Sequence, residues 1–271
     1  MENYREKRKN AGAGRVRAVV LLGISILFLC ACAGRQEEAG TAGTDRDTPE
    51  KAVAYTMEKL KELDMEAFNG CTDNYVRTYR NWLGFPTERE YRVFNELMDT
   101  DWKKGSRYEA NYRLAEKSLE RMNWEIKDVR EETDRAEIDM EITNIDMMEV
   151  LGNYEVYQLE YMMNEGNPGI GQFVKGMLNL TNVREDLVMI MDALGEEDIR
   201  TVSVTVQAYK EEGQWKVHLS QEFIEAFMGY GDSEGYSEEM EQRIEELESR
   251  YEEEMEKWAQ EWAAAVKIET E

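Results

Sequence analysis

Few side chains in this sequence can act as a nucleophile or a base. There is one histidine, His218, and there are three cysteines, Cys30, Cys32 and Cys71. His218 alternates with Trp215, Val217 and Leu219, so a regular strand turns it to the face opposite those apolar groups. The spacing therefore predicts an exposed strand histidine rather than a general base, and it leaves Cys71 without a base to hold it as thiolate. Cys71 reads as a small buried core residue. Asp139 and Glu141 fall on the polar face of an alternating stretch, and Asp128 and Asp134 flank a turn, so all four read as solvated. Asp45-Arg46-Asp47 and Asp99-Thr100-Asp101 have alternate acids but lack the Gly and the closing Glu of a calcium loop. The Gly166–Gly171 segment has no Lys and follows no strand, so it is not a phosphate loop. We expect no catalytic set, no metal centre and no cofactor. The tyrosines are better suited to hold a ligand. Tyr108 and Tyr112 share one helical stripe, and Tyr154, Tyr157 and Tyr161 share another. Such stripes either line a pocket for a small apolar ligand, with apolar rings and polar tips, or pack in the core.

The remaining cysteine chemistry lies at the start of the chain. Arg5, Lys7, Arg8, Lys9, Arg15 and Arg17 precede an apolar run from Ala18 to Ala31. About 14 residues suit the apolar core of a signal peptide, whereas a membrane-spanning helix needs roughly 20. The run ends in Leu29-Cys30-Ala31-Cys32, which resembles the lipobox of bacterial lipoproteins. That resemblance implies that residues 1–31 are a lipoprotein signal peptide, cut before Cys32. It also implies that the Cys32 thiol takes a diacylglyceryl group, with a further acyl chain such as palmitate on the new amino terminus. One chain anchors a protein marginally and two anchor it stably. The protein is then expected on the cell membrane, facing the extracytoplasmic side. Cys71 is left as a lone thiol, with no internal disulfide to make.

The formal charge is −25. Residues 1–31 hold six basic and two acidic side chains, so the charge without them is −29. Nucleic acid as a partner is excluded on this ground, because its binding demands basic patches. The expected partners are the membrane, through Cys32, and a small apolar ligand or another protein.

Residues 32–47 are small and polar with no apolar period, which predicts a flexible tether. Thr48-Pro49-Glu50 is a strong helix start, and Val53, Met57 and Leu60 extend the helix over 49–63. The spacing of Tyr75, Tyr79 and Leu83 predicts a short second helix. Thr87 with Glu90 reads as a capping box opening a third, and Tyr108 to Met122 carry a fourth. The period then changes to two. Trp124 and Ile126, then Ala136 to Ile142, predict one antiparallel pair of strands, and Val202 to Ala208 with Trp215 to Leu219 predict another. Residues 146–198 between the pairs form a helical insertion, with one helix through Val150 and Tyr161 and a second capped at Asn182. A long acidic helix, Ser237 to about Val266, closes the chain. Its stripe is Met240, Ile244, Leu247, Tyr251, Met255, Trp258 and Trp262, suited either to docking on its own domain or to pairing with a partner.

The fold class is α+β, with helices first and a strongly alternating antiparallel sheet after them. The stretches TPEKAVAYTMEKLKELDMEAF, WEIKDV with DRAEIDMEITNIDM, and GQWKVHLSQEFIEAFMG resemble the NTF2-like cone fold as it occurs in small envelope lipoproteins of Gram-positive bacteria. The resemblance implies an NTF2-like domain over 48–229, N-terminal helices packed on a curved sheet, and the acidic C-terminal helix as an appendage over 230–271. NTF2-like enzymes place an Asp or His base inside the cone, and no residue here matches such a set, so the expected role is non-catalytic binding or protein interaction. The alternative is a small-molecule isomerase or dehydratase that uses the cone pocket.

Overall fold

The computed structural model describes residues 46–98, 106–164, 166–167, 183–231 and 235–268. The expected signal peptide, Cys32, nearly all of the expected tether, Asp99–Asp101 and the expected Asn182 cap lie outside them. The described residues form two compact units, those within 46–147 with 191–231, and those within 148–190 with 235–268.

The first unit opens with α1 (Pro49–Lys61), capped by the Thr48 hydroxyl, which accepts from Lys51 N–H. Leu63 turns through a positive φ, and Asp64 caps a second short helix, α2 (Met65–Cys71). Next come two strands, β1 (Tyr75–Arg80) and β2 (Pro86–Tyr91), paired as an antiparallel hairpin, and a 3₁₀ turn over Asn95–Met98. The two helices expected around 75–83 and from Thr87 are therefore strands. A four-residue spacing fits a strand as well as a helix, since i and i+4 share a face in both. Cross-strand partners decide for the strand. Tyr75 meets Tyr91 edge-on at 5.8 Å, and Arg77 Nε lies 2.5 Å from Glu90.

Helix α3 (Ser106–Glu120) leads into the main sheet, whose strand order is β3 (Asn123–Glu131), β4 (Arg135–Ile145), β5 (Ile199–Glu211) and β6 (Gln214–Val217), all antiparallel. The alternation holds best in β4, where Ala136, Ile138, Met140 and Ile142 are buried and their neighbours face outward. On β5, Val206 and Ala208 are buried while Val202 and Val204 are only half-buried against the same core. Helix α1 lies on this sheet, with Ala52, Val53, Met57 and Leu60 fully enclosed. The outward face carries charge pairs centred on Arg130, which binds Asp139 and Glu137.

Asn144 follows Ile142 in the inward phase and is fully buried. Its amide donates to the Ser118 and Phe227 carbonyls, both at 2.7 Å, and its oxygen accepts from Ile145 N–H. These are carbonyls at the C-terminal ends of α3 and of α6 (Gln221–Phe227), where helices leave acceptors unsatisfied.

The second unit is helical. It holds α4 (Met147–Asn164) from Met148 on, α5 (Val183–Ala193) as far as Ile190, and α7 (Glu238–Ile268). The stripe of α7 docks in cis: Met240, Ile244 and Leu247 bury against Val156 and Leu159 of α4. Trp258 is buried edge-on to Tyr251, and Trp262 Nε1 donates to Asn167.

Candidate functional site

The two tyrosine stripes lie in different units. On α3, the Tyr108 and Tyr112 rings stack at 6.4 Å, Tyr108 half-buried against the sheet core and Tyr112 exposed. On α4, Tyr154 is buried, and burial, helped by the negative charge of Asp186, pushes its phenol up to about 12. Tyr157 and Tyr161 pair at 6.3 Å, with Tyr161 exposed. Each stripe therefore pairs rings along its own helix. A cleft of about 250 Å³ in the helical unit is lined by Met163, Asn164, Arg250, Glu253 and Glu254. Among the described residues, no group of three or more His, Cys, Asp and Glu is placed to hold a metal. Cys71 is fully buried, its thiol pushed up by burial and bonded to Thr56 and the Phe68 carbonyl.

His218 is more tightly held than its strand phase suggests. Its Nδ1 lies 2.6 Å from Asp73 Oδ2, and the other carboxylate oxygen accepts from Leu219 N–H at 2.8 Å. Arg92 reaches the same carboxylate at 3.7 Å and donates from Nε to the Asp73 carbonyl. Asp73 is 145 residues from His218, so spacing along the chain gave no sign of the pair. A carboxylate behind an imidazole fixes its tautomer and orientation. Here the pair also fastens the chain before β1 to the end of β6, beside a parallel bridge between Thr72 and Val217.

That fastening positions the β1–β2 hairpin, which carries the most exposed large apolar side chains among the described residues. At its base Asn74 is fully buried. Its amide donates to Asn69 and to the Val93 carbonyl, while its own oxygen and carbonyl accept from Val93 N–H and Arg92 N–H. From this clamp β1 projects with both faces largely open. The tip carries Trp82 at 91% exposure, Leu83 at 58% and Phe85 at 63%. It is folded on itself. Asn81 Oδ1 accepts from Leu83 N–H and Phe85 N–H, both at 3.0 Å. Asn81 also exchanges backbone bonds with Phe85 and Gly84. Arg80 donates to the Gly84 carbonyl, and Gly84 takes the positive φ the turn requires. The hairpin, residues 75–92, holds four arginines and two glutamates in a chain of net charge −25. The expectation of helices here hid this arm, although a Trp-Leu-Gly-Phe-Pro run flanked by arginines was there to be read.

No family model, no curated protein and no solved structure matches this chain.

Proposed function

We propose that this is a lipid-anchored protein of the cell envelope, held on the extracytoplasmic side of the membrane through Cys32, whose folded part is a binding or interaction module. The anchor rests on the basic start, the short apolar run and Leu29-Cys30-Ala31-Cys32. The interaction role rests on one observation above the others: a clamped hairpin that presents Trp82, Leu83 and Phe85 to solvent. Side chains of that size, clustered and exposed, mark contact surfaces. Helices first, then a four-stranded antiparallel sheet with α1 on its apolar face, support reading the sheet unit as an NTF2-like cone.

The His218–Asp73 pair favours a second reading, an isomerase- or dehydratase-like enzyme with His218 as base. Its Asp73 carboxylate is already shared with Leu219 N–H and Arg92, which suits a staple for the hairpin base better than a base awaiting substrate.

The test of the anchor is metabolic labelling with a palmitate analogue in a host that processes lipoproteins. The parent is expected to carry label in the membrane fraction. Cys32→Ser should lose the label and accumulate as unprocessed precursor, and labelling that persists in that variant would refute the assignment.

A further inference from the structure

We infer that the tip of the β1–β2 hairpin is a second membrane contact, in which Trp82, Leu83 and Phe85 enter the interfacial layer of an anionic bilayer. A segment enters lipid only if its backbone polar groups find partners within it. The tip meets most of that demand, leaving the Trp82 N–H and the Trp82 and Leu83 carbonyls to the hydrated headgroup layer. The N–H groups of Asn81, Leu83, Gly84 and Phe85 are bonded inside the turn, as are the carbonyls of Asn81, Gly84 and Phe85. Pro86 has no N–H to satisfy. The Asn81 side chain spends its oxygen on two of these donors, so the turn is formed before it meets a partner.

The side chains suit the same phase. Trp with Leu and Phe is the composition of surfaces that sit at the headgroup and acyl boundary. Arg80 and Arg89 flank the tip on β1 and β2, while Arg77 is paired with Glu90 and Arg92 with Asp73. Positive charge here, in a chain of net charge −25, singles out this arm as the part that anionic headgroups attract. A strongly acidic protein otherwise repels such a surface.

Chain length agrees. The inference rests on the membrane-bound reading for where the domain is held. If Cys32 is the anchor, the chain from there to Thr48 spans at most roughly 58 Å, so the sheet unit stays within reach of the bilayer. One hairpin tip would then fix which side of the unit faces the lipid.

The experiment uses the full chain, processed and purified in detergent, then reconstituted into phosphatidylglycerol–phosphatidylcholine vesicles with and without brominated acyl chains. Bromine quenches tryptophan fluorescence only on contact. Brominated lipid is expected to quench a component of the parent's emission, and Trp82→Gln should lose that component. Phe85→Trp in the Trp82→Gln background should restore it. Arg80→Gln with Arg89→Gln should weaken it, and more so when phosphatidylglycerol is present than in phosphatidylcholine alone. Thermal unfolding of Trp82→Gln should match the parent, since the side chain is almost wholly exposed.

Equal quenching in parent and Trp82→Gln overturns the inference. So does a Trp82 untouched by bromine, including the cases where a second copy of the chain, seen as a dimer by sedimentation, or another protein covers the tip. The lipid label on Cys32 is read in the same samples. Label without quenching removes the hairpin contact and leaves the anchor, whereas quenching without label removes the anchor and leaves the hairpin contact.

Discussion

Replacing Asn144 tests the sheet unit where the argument is most quantitative. The side chain is fully buried and joins three groups: the Ser118 carbonyl, the Phe227 carbonyl and Ile145 N–H. In α3, the amide that would reach Ser118 is that of Met122, which bonds Leu119 instead. In α6, Phe227 is the last residue of the helix. Both carbonyls thus depend on the Asn144 amide. Asn144→Ala orphans all three groups. A buried polar group left unpaired costs about 1–3 kcal/mol, so the loss is expected at about 3 kcal/mol or above, with the low end reached if water enters the space left. Asn144→Leu keeps the number and branching of the side-chain heavy atoms and loses the same bonds, so it tests hydrogen bonding without opening a cavity. Thr143→Ala is the control. Its neighbouring contact, a hydroxyl bond to Thr201, is exposed and should be worth less than about 0.5 kcal/mol. Urea unfolding followed by near-UV dichroism measures all three. If Asn144→Leu costs less than about 1 kcal/mol, the two carbonyls are satisfied without Asn144 and the account of it as a double helix cap is wrong.

Two further outcomes follow from the same unit. Gly229→Ala should destabilise by more than Gly213→Ala, although both glycines have φ near +80°. A Cβ at Gly213 meets open space, so only the conformational cost of about 1–2 kcal/mol applies. A Cβ at Gly229 would lie 2.0 Å from the Ile145 carbonyl oxygen and must displace backbone; equal losses in the two variants would show that the contact is immaterial. Asp139 should titrate at about 2, well below the ordinary value near 3.9, because Arg130 and then Thr205 bond its carboxylate. A depressed folded value means that its stabilising effect is complete above the unfolded value and is lost as pH falls toward about 2. Carbon-detected NMR titration of Asp139 reads this directly, Arg130→Gln should bring the value back toward 3.9, and a parent value near 4 would refute the pairing.

How far the sequence revealed this fold depended on burial. In β4 and α7, one face is enclosed and the other is wet, so the apolar residues recur at the period of the element, and both were legible. The helix start at Thr48-Pro49 was legible for a local reason, since the cap bonds a residue three positions on. Among the described side chains of the β1–β2 hairpin none is buried, so no period separates a strand from a helix there. Its tyrosines and threonines stand at spacings that fit both, and its strand identity comes from cross-strand partners. The His218–Asp73 pair was hidden for a different reason, because the fold brings together residues that no local pattern connects. Asn144 lies between these cases. A polar residue in the buried phase of β4 was visible, but its two helix-end partners were not.

The illegible hairpin and its proposed role have the same physical origin. A strand pair buried on one face writes that face into its sequence, and its apolar residues are then occupied by the core. The described side chains of the β1–β2 arm form no such face. Its structure is held instead by the Asn74 and Asp73 clamp at one end and the Asn81 turn at the other. Trp82, Leu83 and Phe85 therefore take no part in the sheet core, and their exposure costs the fold little. Exposed apolar area on a preformed turn contributes to contact with another phase without first losing the conformational entropy of ordering the loop. The same three residues are the ones whose removal should leave unfolding unchanged and abolish contact with brominated lipid. That combination separates a surface kept for binding from one kept for folding.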